Sequence, residues 1–153
     1  MYAVIRIRGL KNIRPEIKHT LDSLQLDRKN HCVLVTKNVT MDGMLHVVKD
    51  YVAFGPVKDE TVAKLLEKRG RLSGDIKISP DFLKKHNVAN VQGLAQQVTS
   101  GKTTLKDIGI KPVFRLNSPK KGFGKEGIKR GVGLKGPLGF HDKGIDSLLG
   151  QMM

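Results

Sequence analysis

Two hydrophobic periods alternate through the first 57 residues. Residues 2–8, YAVIRIR, have a period of two: Ala3, Ile5 and Ile7 share one face, and Val4, Arg6 and Arg8 share the other. That predicts a strand with one buried face. GLKN turns the chain. RPEIKHTLDSLQL then changes to a helical period, with Ile17, Leu21 and Leu24 on one stripe, Pro15 at a first helical position and Glu16 matched to the helix dipole. HCVLVTK, residues 31–37, is a β-branched run that predicts a second strand. TMDGMLHVVKDY predicts a second helix, capped by Thr40 and apolar through Met44, Leu45, Val48 and Tyr51. VAFGPV, residues 52–57, predicts a third strand ended by Gly55 and Pro56. The economical packing of this β-α-β-α-β unit is one small sheet with both helices on one face. The opposite face, basic through Arg6 and Arg8, is left for solvent or a ligand.

From Lys58 the pattern changes to short helices. DETVAKLLEKRG runs from Asp59 as cap to Gly70, with Val62, Leu65 and Leu66 inward. SPDFLKKHN has Ser79 as cap and Pro80 at the first position. NVQGLAQQVTSG, residues 90–101, faces inward through Val91, Leu94, Ala95 and Val98. KPVFRL is extended, a Gly- and Lys-rich stretch follows, and DKGIDSLLGQMM closes the chain as a helix with Ile145, Leu148, Leu149 and Met152 on one face. The expected organisation is a 1–57 core, a 58–112 helical extension, and a 113–153 Gly/Lys-rich extension with a C-terminal helix.

Charge then narrows the function. The 153 residues carry 28 Lys and Arg against 14 Asp and Glu, a net +14 with a pI near 10.1. Such an excess predicts a polyanionic partner, nucleic acid before an anionic membrane or an acidic protein. Residues 113–136 hold seven positive groups (Arg115, Lys120, Lys121, Lys125, Lys129, Arg130 and Lys135) against Glu126 alone, a net +6. The first 57 residues hold nine against five, a net +4. No apolar run approaches the roughly 18 residues of a spanning helix, and Arg6 and Arg8 interrupt any signal-peptide core. The single cysteine, Cys32, excludes an internal disulfide and a cysteine zinc cluster, and fits a reducing cytoplasm. With no Trp and 5% aromatics, an aromatic stacking platform for single strands is not expected.

The motifs divide into one false lead and several basic sites. Gly122, Gly124 and Gly127, and again Gly131, Gly133 and Gly136, match G-x-G-x-x-G. That fingerprint needs a strand feeding directly into the loop and a helix leaving it. Here Pro119 and two lysines separate VFRL from the first Gly, and IKRGVGLKG has no helical pattern. No G-x-x-x-x-G-K-[ST] sequence is present. The same stretch reads better as a cationic strap: Gly lets the backbone follow an irregular surface, Lys and Arg neutralise phosphates, and Phe123 is placed to wedge against a base or sugar. Such a strap is expected to be loosely ordered alone and fixed by RNA. His19, His31, His46, His86 and His141 have no metal-ligand spacing, and Cys32 reads as a small core hydrophobe. No catalytic group, metal, cofactor or small-molecule substrate is indicated. A second basic patch gathers Lys11, Arg14 and Lys18 around a helix start whose free N–H groups suit a phosphate. At the second helix start, Thr40 and Met41 precede Gly43, which would let a backbone approach closely.

These residues carry a resemblance. VIRIRG, RPEIKHTLDSLQL and HCVLVTKNVTMDGMLHVVKDYVAFG, followed by FGPVKDETVAKLLEKRGRL, FRLNSPKKGF and LGFHDKGIDSLL, resemble the universal large-subunit ribosomal protein L-thirty family in its long archaeal and eukaryotic form. The likeness covers essentially the whole chain. It implies an α+β fold with a ferredoxin-like small sheet and two helices on one face. It also implies a structural, non-enzymatic role in the large ribosomal subunit of the cytoplasm, bound to large-subunit rRNA near 5S rRNA and beside other ribosomal proteins. By motif it carries RNA contact onto Arg14 and Pro15, onto Thr40, Met41 and Gly43, and onto Lys120, Lys121, Gly122 and Phe123. Charge alone assigns Arg8, Lys11, Lys18, Arg115, Lys125, Lys129, Arg130 and Lys135. The long basic N-terminal helix of eukaryotic relatives has no counterpart here, so no role tied to it carries over. A non-ribosomal RNA-binding regulator and a nucleotide-binding enzyme remain the alternatives.

Overall fold

A computed structural model describes residues 1–79, 82–83, 90–101, 103–123, 127–142 and 144–153. In chain order the elements are β1 (Tyr2–Arg6), α1 (Pro15–Ser23), β2 (His31–Val35), α2 (Val39–Val48), β3 (Val52–Pro56), α3 (Asp59–Arg69), α4 (Val91–Thr99), β4 (Val113–Arg115), β5 (Gly139–Phe140) and α5 (Ile145–Met152). Single 3-10 turns cover Ser73–Asp75 and Val132–Leu134. The expected helix at SPDFLKKHN falls largely outside the described residues.

The strands form one sheet in the order β4-β2-β1-β3-β5. β1 is central and antiparallel to both neighbours, with Ile5 opposite Cys32 and Arg6 opposite Val52. β4 joins β2 antiparallel, with Arg115 opposite His31, and β5 joins β3 parallel, with Gly139 opposite Ala53. Strands from the chain's last third therefore extend the sheet built by its first third. Gly55 permits the last pairing: a Cβ there would lie 2.0 Å from the His141 carbonyl oxygen.

The fold is α+β, and its β-α-β-α-β unit with α1 and α2 on one face is ferredoxin-like. The face opposite them is not open. Val4, Val33 and Val52 bury against Leu21, Leu24, Leu26, Leu45 and Val48, the α1–α2 side. Ala3, Ile5, Ile7, Cys32 and Ala53 bury against residues of α3, α4, β4 and α5, including Leu65, Leu94, Phe114 and Leu149. YAVI is thus a strand interior buried on both sides, which reads as a continuous apolar run rather than an alternation. The expectation of a solvent- or ligand-facing basic face fails for that reason.

Arg6 shows the same correction at the level of one residue. It is fully buried, donating from Nε to the Arg8 carbonyl at 3.0 Å and from Nη1 to the Leu26 carbonyl, while Nη2 has no partner among the described residues. Burial lowers its pKa, with Asp22 and Asp27 opposing the shift; a guanidinium stays charged regardless. Its role is internal: it ties the turn after α1 to the end of β1.

Helix boundaries follow local chemistry. Pro15 occupies the first turn of α1, and Arg14 before it is extended (φ −62, ψ 142), as a residue preceding proline prefers. The cap of α2 is Asn38, and Thr40 lies inside the first turn without a capping bond, so the expected Thr40 cap is corrected. Asp59 is the first residue of α3 rather than its cap, with Glu60 beside it and Lys68 and Arg69 in the last turn, all placed to favour the dipole.

Arg6→Ala should cost about 3 kcal/mol of stability, from an orphaned Leu26 carbonyl and a cavity under α1. Arg6→Met, which keeps most of the volume, should cost less. Urea denaturation of the two variants measures both.

Candidate nucleic-acid interface

With both faces covered, the sheet's two ends are left, and the register assigns them. Arg6, His31, Val52, Arg115 and Gly139 lie at one end, here the basic end; Tyr2, Val35, Pro56 and Val113 lie at the other. The chain leaves β4 at the basic end and re-enters the sheet through β5 at the same end. The described parts of the Gly/Lys stretch therefore belong to a connection between the two edge strands that leaves and re-enters the sheet at the basic end.

That loop is anchored at both sides. Leu116 N–H donates to the Asn30 carbonyl at 2.9 Å, and Asn30 Nδ2 donates to Ser118 Oγ at 3.3 Å. Asn117 and Lys120 N–H groups donate to the Met152 and Gln151 carbonyls at the C-terminal end of α5. Farther on, residues 130–138 close on themselves: Gly136 N–H donates to the Gly131 carbonyl at 3.0 Å and Leu138 N–H to the Arg130 carbonyl at 3.2 Å. These described parts are hydrogen-bonded loop, where the sequence suggested a loosely ordered strap. Lys120, Lys121, Lys129, Arg130 and Lys135 remain exposed on it. Lys125 lies outside the described residues.

Phe123 is half-buried and packs on the core cluster, so it also anchors the loop. Beside it, Lys121, Gly122 and Lys135 line a cleft of about 340 Å³ against Ser147 and Gln151 of α5. The dinucleotide fingerprint fails on context: β4 ends at Arg115, and Gly136 is followed by β5, not by a helix. Gly124 lies outside the described residues.

The other sequence-assigned residues distribute as follows. Arg8 sits at the basic end, its guanidinium 4.7 Å over the Tyr51 ring and bonded to the Asp50 carbonyl at 3.1 Å. Arg115 is exposed at the same end. Lys11, Arg14 and Lys18 are exposed beside Pro15, and their side chains form no hydrogen bond or ion pair among the described residues. Thr40, Met41 and Gly43 are brought to the opposite end, because α2 follows β2, which runs away from the basic end. The structure thus separates the α2 start from the Gly/Lys loop. Sequence reasoning missed Arg28 and Lys29, exposed just before β2 at the basic end; the signal was the charged turn DRKN. It also missed a ring cluster across β1, β3 and β5, where Tyr2, Phe54 and Phe140 pack with centroids 5.7–6.4 Å apart and Lys37 lies 5.9 Å from the Tyr2 ring.

Among the described residues, no group is placed for bond-making chemistry. Cys32 is buried, and burial pushes its thiol up to about 12, far from a reactive thiolate. Burial is the main cause lowering the His31 pKa, and Asp27 opposes it. Among the described residues, no cluster of His, Cys, Asp and Glu could hold a metal, and no helix is long and apolar enough to cross a membrane.

Gly43 is informative by contrast with Gly55. It is helical and exposed, and a Cβ there would meet nothing within 4 Å. The fold gains nothing from a glycine that costs a helix about 1 kcal/mol relative to alanine. Gly43→Ala should therefore stabilise the free protein by about 0.5–1 kcal/mol, read as a higher urea midpoint at unchanged slope.

Comparison with known proteins agrees with this architecture. The family model for ribosomal protein L30p/L7e matches residues 2–52. The large ribosomal subunit protein uL30 of Methanococcus vannielii is 43% identical over 152 residues, covering 99% of both chains. That of Methanothrix thermoacetophila is 46% identical over 143 residues and 93% of both chains. That of Nanoarchaeum equitans is 39% identical over 149 residues, covering 97% of this chain and 96% of its own.

Proposed function

The chain belongs to the family of the large ribosomal subunit protein uL30, and from that premise we propose that it braces rRNA from both ends of a closed sheet. It is a structural component of the large ribosomal subunit, working in the cytoplasm beside other ribosomal proteins, and not an enzyme. The basic end, with Arg8, Arg28, Lys29, Arg115 and the loop cations, grips phosphates on one RNA element. The opposite end, through Thr40, Met41 and Gly43 at the start of α2, meets a second. Lys11, Arg14, Pro15 and Lys18 add a further contact at the start of α1.

The observation that carries this reading is the loop's path. The described parts of the loop are anchored by backbone hydrogen bonds beside both edge strands, and they carry Lys120, Lys121, Lys129, Arg130 and Lys135. Preorganised cations lose less entropy on binding than a free tether would. Phosphate contacts then supply affinity and the shape of folded rRNA supplies fit. Gly43 supports the second contact: its missing Cβ benefits nothing inside the chain and leaves room for a backbone outside it. Placing one of the two RNA elements in 5S rRNA fits the long form of the family and is the finer part of the proposal. An RNA regulator acting outside the ribosome would bind with the same chemistry, but full-length similarity to large-subunit proteins favours the ribosome.

Replacing Lys120, Lys121, Lys125, Lys129, Arg130 and Lys135 with Ala should leave the fold intact and weaken binding to protein-free large-subunit rRNA. The slope of log affinity against log salt should fall by roughly 0.7–0.9 for each phosphate no longer neutralised. An unchanged slope would remove the loop from the interface. Gly43→Ala should weaken the same binding while raising stability, and equal affinity would remove the α2 start.

A further inference from the structure

A second cluster of cations lies off the loop. Arg69 from the end of α3, Arg71 just beyond it, Lys111 just before β4 and Arg115 at its end line a cleft of about 380 Å³ at the sheet's β4 edge, with Val113 the one apolar residue among its described lining. The acid in that lining is Asp75. Four positive groups face one negative, an excess of three.

The backbone holds these groups in place. Arg71 bridges Lys77, Leu72 bridges Ile110, and Lys111 N–H donates to the Arg71 carbonyl at 2.8 Å. Gly74 and Asp75 turn the hairpin through positive φ, +82 and +62. This turn presents the Asp75 carboxylate to two cations: Lys111 Nζ bonds Oδ1, and Arg115 Nη1 lies 3.4 Å from Oδ2. Arg71 faces the cleft with no hydrogen-bond partner for its side chain among the described residues. Arg69 is partly engaged, donating to the Met153 carbonyl at 2.9 Å. The hydrogen bond from Lys111, with the nearby charges of Lys111 and Arg115, holds the Asp75 carboxyl below its ordinary range. Asp75 therefore stays ionised at neutral pH, and an incoming anion must compete with it.

We propose that this cleft is a separate phosphate-binding site for rRNA, in which a backbone phosphate takes over Lys111 and Arg115 from Asp75 and gains Arg71. The inference rests on the rRNA-binding reading above and adds a fourth place of contact, on the β4 edge, which adjoins the basic end at Arg115. Three of the four cations are guanidinium groups, which bind phosphate oxygens in a two-pronged geometry. Val113 is the one apolar residue in its described lining, and planar guanidinium forks match phosphate oxygens, so a phosphate is a better occupant than an acidic peptide. Asp75 keeps the cations gathered in the free protein and lowers their mutual repulsion.

The test is equilibrium binding of the full chain to protein-free large-subunit rRNA across a KCl series, with thermal melting of each variant as the folding control. R71Q/K111Q removes two charges and keeps most of the volume. Its salt slope should fall by about 1.4–1.8, the share of two phosphates. Asp75→Asn keeps the shape and removes the competing charge, so it should tighten binding several-fold at low salt. The loop pair K121Q/K135Q serves as reference. If that pair lowers the slope and R71Q/K111Q does not, the cleft is not a phosphate site and the loop reading stands. If neither pair changes the slope, the rRNA-gripping reading fails and this proposal fails with it. Unchanged or weaker binding by Asp75→Asn contradicts the competition. An unchanged R71Q/K111Q slope with a Lys111 cross-link to an acidic protein segment in reconstituted subunits would assign the cleft to a protein neighbour and overturn the proposal.

Discussion

The two-sided burial of β1 constrains everything else in this molecule. Ala3, Val4, Ile5 and Arg6 are each fully buried, with α1 and α2 on one side and α3, α4 and α5 on the other. A sheet closed on both faces cannot present a flat strand surface to RNA. Only ends, edges, loops and outer helix surfaces remain, and that is where the cations assigned to RNA are found. The long form of the fold obeys a simple logic: helices that complete the core also remove the faces as binding surfaces.

Energetically, the division of labour is between apolar interior and charged rim. The two hydrophobic clusters stabilise the body against the self-repulsion of a +14 chain. Arg6 is the single charged side chain buried among the described residues, and it serves the fold by binding the Leu26 and Arg8 carbonyls. The described cations assigned to RNA sit where water or phosphate can reach them. The described parts of the loop joining β4 to β5 are stiffened by Phe123 packed on the core and by backbone bonds to α5. Their charges are thus carried on a frame instead of a tether, which suits recognition of a folded RNA more than sliding along one.

Much of this was legible in the residues, and the exceptions have physical causes. The periods of two and 3.6 located β1–β3, α1–α4 and the closing helix. The alternation of Ala3, Ile5 and Ile7 with Val4 and Arg6 correctly separated two faces, but the end charges Arg6 and Arg8 made one of them look wet. Tyr2 and Val4 on that face were the overlooked apolar signal. β5 is two residues long, Gly139 and Phe140, too short for any period to show. The site residues were legible as charge and motif, but their grouping was not. Whether Lys121 lies near Lys29 or near Thr40 depends on strand order. That order is set by pairings such as His31 with Arg115 and Ala53 with Gly139, between segments far apart in the chain. The packing of Phe123 on the core was not legible either: an aromatic among lysines looks like a ligand contact, and a loop this rich in Gly also needs an apolar anchor to hold any shape.

The central claim is that RNA meets opposite ends of one rigid sheet, and it yields to directed cleavage. The chain's lone cysteine is buried and unreactive, so a tethered iron chelate can be placed uniquely through Lys29→Cys at the basic end or Thr40→Cys at the other. Hydroxyl radicals generated from each in reconstituted large subunits should cut two separate clusters of rRNA positions. Cleavage confined to the Lys29 probe, or one shared cluster from both, would contradict the account.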